Sequence, residues 1–146
     1  MAGYLNHYGE GEEKREKVIK RTLLTILVLA VVGGVLFFYF KNFRQEQRVK
    51  SFLENLQRKD YKAAYMLWGC TEATPCPAYP FENFLQDWGP SSPRVKVDSY
   101  RITRSRSCGS GVILTVDFGG EQQEHLWVEK RTNIISFSPY PGCPNI

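Results

Sequence analysis

The most apolar stretch of the chain is Thr22–Phe40, TLLTILVLAVVGGVLFFYF, which has nineteen residues and no charge or proline. As a helix it would extend about 28 Å, close to the ~30 Å hydrocarbon core of a bilayer. A cleaved signal peptide is the alternative, but its apolar core is usually about 7–15 residues long and ends in small residues. Here the stretch ends in the aromatic run Phe37–Phe40 and Lys41, which is typical of an anchor at the membrane surface. The pattern therefore predicts one transmembrane helix, which stays attached to the chain.

Three shorter stretches after this span carry apolar residues at helical spacing. The three sets are Val49, Phe52, Leu53 and Leu56; Tyr61, Ala64, Tyr65 and Trp68; and Phe81, Phe84, Leu85 and Trp88. Asp60 is placed to cap the second helix, Gly69 to end it, and Pro80 suits the first turn of the third. Because residues 36–67 contain no glycine or proline, the span is predicted to run into the first helix with little flexible linker.

The C-terminal part of the chain has strand-like alternation. Four strands are predicted, at Arg94–Arg106, Val112–Phe118, Gln122–Lys130 and Ile134–Ser138. The second strand alternates regularly, so one of its faces should be buried. The first strand changes phase, which predicts a bulge near Asp98 and Ser99. Tight turns between the later strands predict an antiparallel meander.

These elements predict an α+β domain behind a single N-terminal transmembrane helix. The segment Phe52–Trp68, FLENLQRKDYKAAYMLW, resembles the charged-Asp-Tyr-x-x-Ala-Tyr opening of small bacterial NTF2-like (cystatin-like) domains, and the resemblance covers about residues 44–139. It implies three helices packed on a curved four-stranded antiparallel sheet, with a conical cavity between them. Some members of that family catalyse isomerisation or dehydration in the cavity, whereas many only bind ligands or partners.

Charge and cysteine placement predict the orientation in the membrane. Five basic residues precede the span (Lys14, Arg15, Lys17, Lys20, Arg21) and four follow it (Lys41, Arg44, Arg48, Lys50), a slight preference for the N-terminus inside. All four cysteines follow the span, as expected in an oxidising compartment. We therefore expect a cytoplasmic tail at residues 1–21, a transmembrane helix at 22–40 and an extracytoplasmic domain at 41–146, periplasmic in a bacterium. The net charge of +4 is too small to indicate a nucleic-acid partner.

The four cysteines allow three disulfide pairings. A Cys70–Cys76 bond would close a short proline-rich loop and leave Cys108–Cys143 as the second bond; a bond from Cys70 or Cys76 to Cys143 is the main alternative. The chain lacks C-x-x-C, and the spacing of Cys70 and Cys76 is too wide for a usual zinc knuckle. No metal or other cofactor is expected, and the loop is predicted to be a covalent clasp that positions the helix after it.

Four residues could act as acids or bases inside an NTF2-like cone: Asp98, Tyr100, Asp117 and His125. His125 alternates with Leu126 and Val128, and Asp117 alternates with the valines of its strand. If those apolar residues point inward, His125 and Asp117 lie on the outer face. No assembled catalytic set, and hence no enzyme activity, is expected.

A basic stripe is the remaining candidate site. Arg94, Lys96, Arg104 and Arg106 share one parity of the first predicted strand, so they could bind an anionic partner or lipid headgroups. The alternative is a solvated face that discourages edge pairing.

These features together predict a non-catalytic single-span protein of the lipid bilayer. Its domain would bind an integral membrane protein, as a scaffold or accessory subunit of a larger complex. A pocket enzyme of the isomerase or dehydratase type, or a carrier of a small apolar ligand or lipid, is the alternative. A cone filled by Phe52, Tyr65, Phe84 and Trp88 would favour binding through the outer surface.

Overall fold

The computed structural model describes residues 10–92 and 97–143, with side chains from Lys14 onwards. The described helices are α1 (Glu10–Phe40), α2 (Phe43–Gln57), α3 (Tyr61–Met66) and α4 (Phe81–Trp88), and the strands are β1 (Arg101–Cys108), β2 (Gly111–Asp117), β3 (Gln123–Glu129) and β4 (Ile135–Phe137). The chain divides into two compact units, Met1–Lys41 and Asn42–Ile146, which are described separately. The α+β class is confirmed: a long apolar N-terminal helix and a four-stranded antiparallel sheet are present.

Helix α1 contains the whole apolar stretch and has the length and composition to cross a membrane. Its described side chains are exposed, apart from partial burial at Gly34. The hydroxyls of Thr22 and Thr25 donate to the carbonyls of Val18 and Arg21, each at 2.9 Å. Both polar groups are therefore satisfied within the helix, as an apolar environment requires.

The three domain helices follow the predicted spacing. Helix α2 buries Val49, Phe52, Leu53 and Leu56 on one face. Asp60 caps α3 by accepting a hydrogen bond from the backbone N–H of Ala63 at 3.0 Å. A turn at residues 41–42 separates α1 from α2, so the span does not continue into α2 as one unbroken element.

The sheet is an antiparallel meander with strand order β1-β2-β3-β4. Strand β1 begins at Arg101, later than predicted, and its register shifts between Ile102 and Arg104. The predicted bulge at Asp98 and Ser99 is wrong, because these residues form a turn before the strand. The carbonyls of Val97 and Asp98 accept hydrogen bonds from Gln57 Nε2 on α2 (2.9 and 3.4 Å), which engages this segment with a helix instead of a strand.

Strand β2 is buried on both faces, not on one face as its alternation predicts. Val112, Leu114 and Val116 belong to the core under the helices, whereas Ile113 and Thr115 are buried on the opposite face. Strand β2 is central, so larger side chains of β1 and β3 flank it on that second face. The alternation identified the core face correctly and could not indicate how the other face is covered.

Aromatic side chains fill the interior between the helices and the sheet. Phe52, Tyr65, Phe84 and Trp88 are each at most 2 % exposed. The ring of Phe52 lies 5.0 Å from that of Trp88, and the ring of Tyr65 lies 5.1 Å from that of Phe84. These side chains occupy the region that a conical cavity would require.

Candidate functional site

Both disulfides hold loops against the domain core. Cys70 is bonded to Cys76 and Cys108 to Cys143, which is the pairing favoured from the spacing and leaves no free cysteine. The bond to Cys143 joins the C-terminal segment to the end of β1. The Cys70–Cys76 loop lies between α3 and α4 in sequence.

Tyrosine hydroxyls attach the Cys70–Cys76 loop, and the residues that follow it up to Tyr79, to the two neighbouring helices. The Tyr65 hydroxyl, from α3, donates to the carbonyl of Tyr79 at 2.6 Å and accepts from the N–H of Cys76 at 3.3 Å. The Tyr79 hydroxyl donates to Asp87 Oδ2 of α4 at 2.8 Å. The segment from Cys70 to Tyr79 therefore links α3 to α4.

The environment of Tyr79 favours its neutral form. Burial is the main cause that raises the pKa of Tyr79 above its usual value of 10, and the Asp87 carboxylate adds to it. Since a neutral phenol is a hydrogen-bond donor, the raised pKa lets Tyr79 keep its bond to Asp87 to a higher pH than an ordinary tyrosine would.

The four candidate acids and bases do not form a common site. Asp98 is exposed in the turn before β1. Asp117 Oδ1 accepts from the N–H of Gly119 at 2.8 Å, so this carboxylate stabilises the β2–β3 turn. The ring of His125 is hydrogen-bonded to the Thr115 hydroxyl at 3.1 Å, on the face of the sheet away from the helices.

Tyr100 and Asp117 do line one shallow surface groove, together with Ser99, Arg101 and Gly119. Partial burial is the main cause that raises the pKa of Tyr100, followed by the charge of Glu54. A phenol with a raised pKa stays neutral at pH 7, so Tyr100 can act there as a hydrogen-bond donor but not as a proton acceptor.

The face of the sheet away from the helices carries an aromatic and basic surface, here called the outer sheet face. It comprises Arg101, Arg104, Arg106, Ile113, Thr115, Asp117, His125, Trp127 and Glu129. The register aligns Arg104 with Thr115 and His125 in one row, and Arg106 with Ile113 and Trp127 in the next. The helices described here pack on the opposite face, where the core residues of β2 and β3 point.

The outer sheet face carries more basic than acidic side chains: three arginines of β1 against Asp117, the cross-strand partner of Arg101, and Glu129 of β3. The side chains of Arg101, Arg104 and Arg106 are exposed, and within the described ranges none of them is in an ion pair. Of the predicted stripe, Arg104 and Arg106 lie on this face; Arg94 and Lys96 lie outside the described residues. Unpaired guanidinium groups remain available to an anionic partner.

Trp127 is the member of this surface that the stripe prediction missed. A Cβ at Gly111 would overlap the Trp127 ring at Cε2 and Cζ2, so the indole lies against the backbone of β2 at a position where only glycine fits. The sequence did contain a signal for this contact. Trp127 is at an outward-facing position of its strand, and the neighbouring strand contains a glycine, which often marks a close approach to the backbone.

The chain was compared with protein-family models, with characterised proteins and with solved structures, and none of the three comparisons gave a match.

Proposed function

We propose that this chain is a non-catalytic single-span membrane protein whose NTF2-like domain, outside the cytoplasm, binds an integral membrane protein. In this role it serves as a scaffold or accessory subunit of a larger complex. The observation that carries the proposal is the contrast between the two sides of the sheet. The inner side is filled by aromatic side chains, and the outer sheet face carries exposed arginines around a tryptophan.

The filled interior supports binding over catalysis. A pocket enzyme or a carrier of an apolar ligand needs space between the helices and the sheet, and Phe52, Tyr65, Phe84 and Trp88 occupy that space. Opening it would require several buried rings to leave contacts with one another, and burial of each large side chain is worth about 1.5–3 kcal/mol.

The composition of the outer sheet face supports a protein partner with an acidic surface. Tryptophan and arginine are the residues most often found to dominate binding energy at protein interfaces. Here Trp127 is held rigidly against Gly111, and Arg104 and Arg106 lie in the neighbouring rows. A rigid aromatic ring among unpaired guanidinium groups suits a partner that offers carboxylates around an apolar contact.

The disulfides and the charges near the span support the proposed orientation. Both disulfides lie after α1, and such bonds persist in oxidising compartments. Together with the small excess of basic residues before the span, they favour an N-terminus in the cytoplasm and a domain on the opposite side.

Purification of the full-length chain from native membranes in mild detergent tests the proposal. We expect a stable integral membrane protein to co-purify with the wild-type chain. The double variant Arg104→Gln/Arg106→Gln should lower its recovery at least tenfold, because hydrogen bonds to charged groups contribute about 1.5–3 kcal/mol each. Arg58→Gln, an exposed arginine after α2, is the matched control and should leave recovery unchanged. A wild-type chain that purifies as an isolated monomer would contradict the proposal.

A further inference from the structure

A groove bordered by two arginines lies between the first turns of α2 and the β3–β4 turn. It is lined by Phe43, Arg44, Gln47, Arg48, Ser51 and Asn133. Arg48 Nε donates to the backbone carbonyl of Asn133 at 3.0 Å, which fixes the position of this guanidinium at the groove. Two arginines one helical turn apart therefore border the same opening.

The positive charge of this groove has no internal counterion in the described part of the chain. Neither Arg44 nor Arg48 forms an ion pair there, and the described bond of Arg48 is to a neutral carbonyl. Guanidinium groups bind phosphate oxygens through planar pairs of N–H donors. The groove is therefore suited to a phosphate-bearing ligand.

Asn133 adds a second requirement to the ligand. Its side-chain Oδ1 is buried and has no hydrogen-bond donor among the described residues. A buried acceptor without a donor is uncommon in folded proteins and calls for a partner. A ligand that carries a hydroxyl group beside its phosphate would satisfy the arginines and Asn133 together.

The position of the groove along the chain indicates the source of the ligand. Arg44 follows Phe40, the last residue of α1, by four residues, and four residues span at most about 14 Å. The headgroup layer on each side of a bilayer is about 5–8 Å thick, from the difference between the total and hydrocarbon thickness. If α1 spans the membrane, Arg44 lies within reach of lipid headgroups.

We propose that this groove binds the headgroup of an anionic phospholipid that carries hydroxyl donors, of the phosphatidylglycerol type. The phosphodiester lies between Arg44 and Arg48, and a headgroup hydroxyl donates to Asn133 Oδ1. This inference rests on the proposed membrane span, and it concerns a site separate from the outer sheet face.

The test uses the full-length chain in nanodiscs of phosphatidylcholine with a minor fraction of phosphatidylglycerol. Native mass spectrometry of the released protein then counts the phosphatidylglycerol molecules it retains. We expect Arg44→Gln and Arg48→Gln each to lower the apparent affinity about fivefold, and the double variant about 25-fold, equivalent to ~1 kcal/mol per arginine. Arg58→Gln is the control. Arg58 lies about 21 Å from Arg44 along the helix direction, and this distance exceeds a Debye length of ~10 Å. Equal retention by the wild-type chain and the double variant would overturn the site.

The role of Asn133 is tested with a lipid that lacks the donor. Phosphatidylmethanol has the same phosphodiester charge and no headgroup hydroxyl. We expect the wild-type chain to retain phosphatidylglycerol several-fold better than phosphatidylmethanol, and Asn133→Gly to abolish that difference. Glycine keeps the left-handed backbone of Asn133 (φ 55°), so this variant removes the amide without straining the turn. A wild-type chain that retains both lipids equally would overturn the hydroxyl contact.

Two further measurements separate this proposal from its alternatives. Inorganic phosphate added to the buffer should not displace the lipid; displacement would show a site for free phosphate and overturn the lipid assignment.

Extraction of membranes with alkaline carbonate tests the span itself. If carbonate releases the wild-type chain, the proposed membrane function fails. If the chain stays in the membrane while the double arginine variant retains its lipid, the groove proposal alone fails.

Discussion

At the scale of single residues, Gly111 and Trp127 determine the shape of the outer sheet face. The indole lies where a Cβ of residue 111 would be, and it helps to cover Ile113, which is only 3 % exposed. A side chain on one strand thus packs directly on the backbone of its neighbour. This contact keeps Trp127 in one position, and a fixed aromatic ring loses less conformational entropy when it binds a partner.

Gly111→Ala should destabilise the domain by about 1–3 kcal/mol, because the added methyl group overlaps the Trp127 ring. Urea unfolding of the full-length chain in detergent measures the change. Gly142→Ala is the control, since a Cβ there meets no atom of the described residues within 4 Å. The cost of Gly111→Ala should largely disappear in a Trp127→Ala background, and an undiminished cost there would show that the ring is not the obstacle.

Tyr79 is the second residue whose surroundings have a measurable consequence. Its pKa is raised in the folded state, mainly by burial, while the unfolded chain titrates near pH 10. Above pH 10 the unfolded state therefore loses a proton that the folded state keeps. The stability contributed by this group is fully present below pH 10 and is lost as the pH rises above it.

Tyr79→Phe should weaken this loss of stability at alkaline pH. One such group gives a slope of at most about 1.4 kcal/mol per pH unit, and partial exposure of Tyr79 reduces it. Urea unfolding of the wild-type chain and the variant between pH 9 and about pH 11 compares the slopes. Tyr140→Phe, at a residue that is 48 % exposed, is the matched control and should leave the slope as in the wild-type chain. Identical slopes for wild type and Tyr79→Phe would contradict the prediction.

At the scale of elements, the two disulfides act over different lengths of chain. Cys70 and Cys76 are 6 residues apart, whereas Cys108 and Cys143 are 35 residues apart. A longer closed loop restricts the unfolded chain more strongly. The short loop has a different role, since Tyr65 of α3 bonds to Cys76, and Tyr79, three residues after the loop, bonds to Asp87 of α4.

Removing the Cys108–Cys143 bond should therefore cost more stability than removing Cys70–Cys76. The chain-entropy relation gives about 4 kcal/mol for the long loop and about 2.5 kcal/mol for the short one. Paired Cys→Ala variants of each bond, unfolded in urea, measure the two values. Hydrogen exchange should increase in α4 only when the Cys70–Cys76 bond is removed. If removal of either disulfide increases hydrogen exchange in α4 equally, the short loop does not position this helix.

At the scale of the whole molecule, the chain combines a long apolar helix and a domain with a filled core. The described side chains of α1 are almost all exposed, whereas those of the domain form one cluster from α2, α3, α4 and the sheet. The apolar helix has the length and composition to cross a bilayer, where a helix satisfies its backbone groups internally. The core of the domain is filled, so its available interactions are on its surface.

A charge at the centre of α1 should prevent stable membrane insertion. Arginine at the middle of a membrane helix costs about 2.5–3.5 kcal/mol on insertion scales. Val31→Arg places this charge near the middle of residues 22–40, and we expect a larger fraction of the chain to be released by alkaline carbonate. Val18→Arg, on the same helix before the apolar stretch, should remain in the membrane fraction. If Val31→Arg resists extraction as the wild-type chain does, a membrane span is the wrong interpretation of α1.

The sequence alone was sufficient for the elements whose pattern depends on local spacing. The apolar stretch of α1, the buried stripe of α2 and the Asp60 cap of α3 appear where periodicity and capping chemistry place them. Each depends on residues within one or two helical turns, so neighbouring positions carry the necessary information. The antiparallel order of the sheet likewise follows from short turns between consecutive strands.

Only the tertiary structure decided the features that depend on contacts between distant residues. The start of β1 depends on Gln57 of α2, which engages the carbonyls of residues 97 and 98. The burial of Ile113 and Thr115 depends on the neighbouring strands, and the position of Trp127 depends on Gly111 across the sheet. The groove of Arg44, Arg48 and Asn133 joins residues 85 positions apart. Periodicity reports which way a side chain points from its own element, but the residues it meets there are set by how the elements pack.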